Sequence, residues 1–403
     1  MVTQIIGTIG VGVAPSIGIL LAGEVTQNEA WAGLARTAST LGAALFGLPL
    51  GNLAARRGRR IALATGWWLA ALGSAVLVVA AQLSLVVPLF IGLLLIGCGS
   101  AVSLQSRFAA TDLAEPQHKA RSLALIVWVG TLGSVLGPNL GAPGEVVGAA
   151  TGLTVFASAF GIAGVCLALA GTLIFLLLRP DPLLVATAAS TQPIAAASGG
   201  GRIGRVFAEV RTNHRARLAV IAILVAQVVM VSIMTMTPVH VVHQGGSVNL
   251  VGITISLHIL GMYALAPLVG MIADRYGHRP TMGFGVLVFL VSLALGALRP
   301  DEMTWIVVSL ILLGLGWSFV NVSGSALFAK AVSSQTRASA QGGVDALANL
   351  SGAAAAFLAG PLLAVSGFST LAWLAMVVLI PLVLILVRPG IPDPDDGDDQ
   401  RVR

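Results

Sequence analysis

Twelve runs of about twenty predominantly apolar residues follow one another along this chain, and most of the gaps between them hold little more than a turn. A helix of that length matches the hydrocarbon thickness of a bilayer, where backbone polar groups must be satisfied within the segment itself. The runs lie at roughly 3–22, 30–54, 61–81, 84–108, 120–141, 151–178, 216–243, 248–272, 280–298, 303–328, 339–363 and 367–388. Charged residues make up only 9% of the 403 positions, against about a quarter in soluble domains. The expected product is an all-α membrane protein. The first run has neither a charged leader nor a small-residue cleavage site, so it reads as a retained helix.

A net charge of +6 raises the question of nucleic acid, and the placement of the charges answers it. Of 22 Lys and Arg, nineteen fall in loops and termini on one side, among them Arg56, Arg57, Arg59, Arg60, Lys119, Arg121, Arg275 and Arg279. Arg299 alone falls on the other side, and Arg36 and Arg107 lie within spans. Basic loops mark the cytoplasmic face, so both termini are expected inside the cell and no nucleic-acid partner is expected.

Residues 179–215 separate two sets of six spans. "ATAASTQPIAAASGGG" has the composition of a flexible linker, and "RIGRVFAEVR" spaces Ile203, Val206, Phe207 and Val210 as an amphipathic helix on the inner leaflet. The expected organisation is a six-helix bundle over 1–178, a cytoplasmic linker over 179–215, a second bundle over 216–388 and an acidic tail over 389–403.

The halves repeat each other. "GNLAARRGRR" at 51–60 follows the second span, and "GMIADRYGHR" at 270–279 follows the eighth, the corresponding place in the second half. These loops resemble the G-x-L-A-D-R-x-G-R-R signature of the major facilitator superfamily. The second copy keeps the acid as Asp274, whereas the first carries Ala55. The resemblance implies a twelve-helix transporter of two bundles, working by alternating access about a site near the midplane. "GTLGSVLGPNLG" at 130–141 is similar to the superfamily's antiporter motif. Its physical content is a face of Gly133, Gly137 and Gly141, bent at Pro138.

"QVVMVSIMTMTPVHVVH" at 227–243 crowds three methionines and two histidines into a lipid-matched segment. Met230 and Met234 share one face of span seven, and His258 and Met262 share one face of span eight. Counted from the outer ends, Met234 and His258 lie about nine and ten residues deep, and Met230 and Met262 about thirteen and fourteen, roughly 14–21 Å at the helical rise. Either pair alone is what core filling would give, because Met is flexible and apolar. Both pairs at matched depth favour a metal. Thioether sulfur with imidazole suits soft Cu(I), whereas Mg, Ca and Mn prefer oxygen and zinc more often recruits Cys or carboxylate. Met236, His240 and His243 form a candidate entry path from the outer mouth.

M-x-x-x-M in span seven with H-x-x-x-M in span eight resembles the CcoA-like branch of the superfamily, bacterial copper importers that supply cbb3-type cytochrome c oxidase assembly. That resemblance implies inward copper transport with Met230, Met234, His258 and Met262 as ligands. It places the chain in a bacterial inner membrane, with copper and the bilayer as its partners. A monomer is expected, with copper as cargo and no permanently bound cofactor.

Asp345, about eight residues inside span eleven, is a candidate for proton coupling. Arg107, Asp112 and Asp274, at cytoplasmic ends of spans, are candidates for gating. No nucleophile–base set or hydrolytic metal signature appears, so an enzyme is not expected. The competing reading is a proton-coupled antiporter exporting small hydrophobic molecules or drugs, supported by the glycine–proline motif and the apolar spans.

Overall fold

The computed structural model describes residues 1–28, 30–113, 115, 118–189, 204, 210–211, 213–332 and 337–387, and among them all regular structure is helical. The expected amphipathic segment near 202–211 and the acidic tail lie almost wholly outside the described residues. In order, the helices are α1 (Val2–Gly12), α2 (Ile19–Thr26), α3 (Ala30–Leu83), α4 (Val86–Thr111), α5 (Lys119–Leu136), α6 (Gly141–Thr151), α7 (Val155–Leu177) and α8 (Pro182–Ala189). Then come α9 (His214–His243), α10 (Val248–Tyr263), α11 (Ala266–Tyr276), α12 (His278–Leu298), α13 (Met303–Ala331) and α14 (Arg337–Val387).

Among the described residues, ten segments are long and apolar enough to cross a membrane. Two of them are longer than one crossing permits. At 1.5 Å per residue the 54 residues of α3 would reach about 80 Å, well beyond a bilayer of about 30 Å. Each long helix instead reverses at a glycine, Gly58 at φ 86° in α3 and Gly367 at φ 76° in α14. Each is therefore two helices joined at a glycine, and the described residues are consistent with the twelve crossings expected.

The departures from straight spans sit at prolines, whose missing N–H breaks the ladder. Pro15 lies in a π-helical turn between α1 and α2, and Pro138 in a 3-10 turn between α5 and α6. Span eight, expected as one helix, is interrupted at Ala264–Leu265, just ahead of Pro267.

The chain divides into two compact units. The first comprises Met1–Ala196, Thr235–Ser256 and Ala356–Ala364. Its core includes Ile17, Leu77, Leu93 and Phe160, with a second cluster around Leu63, Trp67 and Leu167. Within it, a Cβ on Gly33 would run into the Ala356 carbonyl, and one on Gly360 into the Ala30 carbonyl, so α3 and α14 cross backbone against backbone. The antiporter-like motif makes the same kind of contact. A Cβ on Gly252 would stand 2.6 Å from the Pro138 carbonyl. Ser256 donates to the Val135 carbonyl at 2.6 Å, and Asn139 donates to the Ser256 hydroxyl at 2.7 Å.

The second unit comprises Ala197–Met234, Leu257–Ala355 and Val365–Arg403. Its reversal at Gly277, φ 91°, is the counterpart of Gly58 in the repeated loop. In each unit the arginine two residues past that glycine ties the loop to the bundle's last helices. The Arg60 guanidinium lies 5.3 Å from the Phe175 ring, and its backbone N–H donates to Asp181 at 2.7 Å. Arg279 donates to the Leu386 carbonyl at 2.6 Å and the Ile385 carbonyl at 3.2 Å.

Gly58 tests the reversal. An L-residue is strained at its φ, and an added Cβ would meet the Asp181 carboxylate. Gly58→Ala is expected to cost about 1–3 kcal/mol, read as a lowered thermal midpoint in detergent. Gly51→Ala, where a Cβ meets nothing within 4 Å, should leave the midpoint level or raise it slightly. Equal midpoints for the two variants would contradict the turn.

Candidate ion and solute site

Met230, Met234, His258 and Met262 all belong to the second unit and are all buried, between 0% and 6% exposed. Met230 and Met234 lie on α9, His258 and Met262 on α10. The His258 Nδ1 stands 2.7 Å from the Leu310 carbonyl oxygen on α13. A carbonyl can only accept, so in the neutral ring Nδ1 carries the proton and Nε2 the lone pair. That is the arrangement common to metal-binding imidazoles, in which one nitrogen is fixed by a carbonyl and the other left basic.

Two glycines make this contact reachable. A Cβ on Gly314 would run into the His258 carbonyl and stand 3.2 Å from its Nδ1, and one on Gly261 would stand 2.8 Å from the Ile311 carbonyl. Met262 lies in the last turn of α10, beside the interruption at 264–265. The carbonyl end of a helix carries partial negative charge, which favours a cation there. Among the described residues no three His, Cys, Asp or Glu side chains gather into a metal-binding group. A metal held by His258 would therefore need ligands of another kind, and the thioethers are the soft ones at hand. Cys98 and Cys166 are both free thiols, in α4 and α7.

The candidate entry residues run along the C-terminal turns of α9, and exposure rises toward that end. Met236 is fully buried, His240 is 8% exposed and His243 is the last residue of the helix. These three belong to the first unit, although α9 runs unbroken into the second.

The charged candidates fall at other places. Asp112 pairs with Arg59, Nε to Oδ2 at 2.8 Å and Nη2 to Oδ1 at 3.4 Å, a fork with both side chains largely buried. Asp274 faces Lys330 at 3.7 Å with both side chains exposed, a pair worth little in solvent. Asp345 is exposed on α14, its backbone carbonyl accepting from Asn349 at 2.9 Å.

One polar group in this unit goes unnoticed in the sequence. Gln227 on α9, Tyr263 at the end of α10 and Trp317 on α13 meet near the middle of their spans. The signal was available, because tyrosine and tryptophan belong at membrane interfaces and two of them stand mid-span here.

Comparison with known proteins places the chain. Residues 1–247 and 242–402 match the family described as Major Facilitator Superfamily. An uncharacterized MFS-type transporter of Bacillus subtilis, YdeG, is 35% identical over 96% of this chain and 90% of its own length. The riboflavin transporter RfnT of Brucella anthropi is 29% identical over 96% of the chain and 95% of its own length. Among solved structures, the nucleoside transporter NupG superposes with a TM-score of 0.66 at 17% identity, covering 96% of this chain and 98% of its own. With both halves matched by the family and relatives aligned over nearly its whole length, the chain belongs to the Major Facilitator Superfamily of membrane transporters.

Proposed function

We propose that this transporter imports copper, as Cu(I), across a bacterial inner membrane, with Met230, Met234, His258 and Met262 as the ligands. The observation that carries this reading is the His258–Leu310 contact. It sets the imidazole tautomer for metal binding inside a buried set whose other members are thioethers. Thioether sulfur has no proton to lose and keeps its affinity in a dry site. Met236, His240 and His243 line the way in. The excess of basic loops puts both termini in the cytoplasm, and the exposed carboxylate of Asp345 couples the movement to protons. By its resemblance to the CcoA-like branch, the imported copper supplies cuproenzyme assembly such as that of cbb3-type oxidase. The protein works as a monomer.

A second reading, transport of a small organic solute in either direction, is favoured by one observation: a relative aligned over nearly the whole chain is a riboflavin transporter. The decisive experiment is cellular copper uptake. Leucine at Met230, Met234 or Met262 preserves apolar volume, so its stability cost should stay under about 1.5 kcal/mol, and His258→Leu is the fourth variant. Uptake should fall sharply with membrane abundance unchanged. Normal uptake by all four well-expressed variants rejects the ion site and leaves the organic-solute reading, including the antiporter.

Two further measurements check the rest. Asp345→Asn removes the charge at nearly constant size and should weaken uptake or flatten its pH dependence. An unchanged rate and profile would make Asp345 structural. Cysteines introduced at Gly245 and Ser198 should react with an impermeant thiol reagent from opposite sides of the membrane. Labelling of both from outside would overturn the orientation.

A further inference from the structure

The group formed by Gln227, Tyr263 and Trp317 has no part in the ion reading. The Trp317 indole N–H donates to the Gln227 Oε1 at 3.1 Å. The Trp317 and Tyr263 rings meet edge to face, centroids 5.7 Å apart and planes at 68°. Three helices of one compact unit, α9, α10 and α13, thus contribute one residue each.

Its position is unusual for such side chains. Trp317 stands fourteen residues from either end of α13, about 21 Å deep by helical rise, where a tryptophan gains nothing from the headgroup region. Tyr263 is one of only two tyrosines in the chain and is the last residue before the interruption of span eight. Pro267 has no N–H to give the Tyr263 carbonyl, so the break has a covalent cause. Mid-membrane helix breaks are where transporters bind their solutes.

The chemistry narrows the ligand. Indole N–H only donates, so the atom of Gln227 that meets it must be the amide oxygen. That bond fixes the carboxamide's orientation and leaves its Nε2 hydrogens as the end that can address a ligand. Room for that end comes from Gly352, where a Cβ would stand 3.3 Å from Nε2. None of the three side chains is ionised at neutral pH, so the set has no charge with which to hold an ion. It offers aromatic surface for stacking and a directed donor for one acceptor on the ligand's edge.

We propose that Gln227, Tyr263 and Trp317 form a binding site for a planar, uncharged heteroaromatic solute. The ring system packs on the Trp317–Tyr263 pair, and an edge carbonyl or ring nitrogen accepts from Gln227.

The test uses the full-length protein in lipid nanodiscs and lumichrome, an uncharged tricyclic heteroaromatic whose fluorescence anisotropy reports binding. The wild type should bind it saturably, and better than anthracene, a hydrocarbon of similar shape without acceptors. Trp317→Leu should weaken binding about tenfold or more, while Trp317→Phe retains most of it. Gln227→Leu should abolish the preference over anthracene. Trp373→Leu, which removes an exposed indole elsewhere on the unit, should bind as the wild type does. Absence of saturable binding by the wild type, or wild-type affinity in both Trp317→Leu and Gln227→Leu, overturns the proposal. Copper is absent from this measurement, so its outcome is independent of the ion site.

Discussion

Backbone meeting backbone is the contact on which this structure depends. In lipid, apolar side chains gain little by leaving one hydrocarbon environment for another, so helices hold together by close van der Waals packing. Glycines supply that closeness. A Cβ on Gly137 would stand 2.6 Å from the Ile9 carbonyl, and one on Gly73 would stand 2.8 Å from the Gly92 carbonyl. The functional geometry follows from the same device. His258 reaches the Leu310 carbonyl because Gly261 and Gly314 let α10 and α13 approach that far. A Cβ at either glycine would press these two helices apart, and with them the imidazole and its carbonyl.

Much of the fold was legible because a bilayer imposes length and apolarity that composition alone reveals. The reversals at Gly58 and Gly277 were legible too, since the repeated loops mark equivalent positions and both glycines take a positive φ. Other features were hidden for physical reasons. Pro267 announces an irregularity in span eight, but a proline can kink a helix or end it, and the sequence does not distinguish the two. The partner of His258 is a main-chain oxygen, which any residue at 310 would supply, so it leaves no trace in residue identity. Gln227 and Trp317 lie ninety residues apart in sequence, and only the packing of α9 against α13 brings them to a hydrogen bond.

The repeat also shows what two halves of one design share and what they do not. Both anchor the loop arginine, Arg60 and Arg279, against the end of their own bundle. The charges beside these anchors differ. Where Ala55 has replaced the acid, the first unit uses the buried fork of Arg59 and Asp112, whereas the second keeps Asp274 in an exposed pair with Lys330. A partly buried fork resists screening by salt and an exposed pair does not, so ionic strength acts unequally on the two repeated loops.

The helix α9 runs from His214 to His243 without a break, yet its residues up to Met234 belong to one compact unit and those from Thr235 onward to the other. Four residues past Met234 is Pro238, which lacks the N–H that would otherwise bond the Met234 carbonyl. The rod is therefore softest beside a buried sulfur, with one rung of its ladder already missing. Flexing at that rung breaks no hydrogen bond, so mechanical compliance is concentrated next to Met234 and the turns on either side can stay stiff.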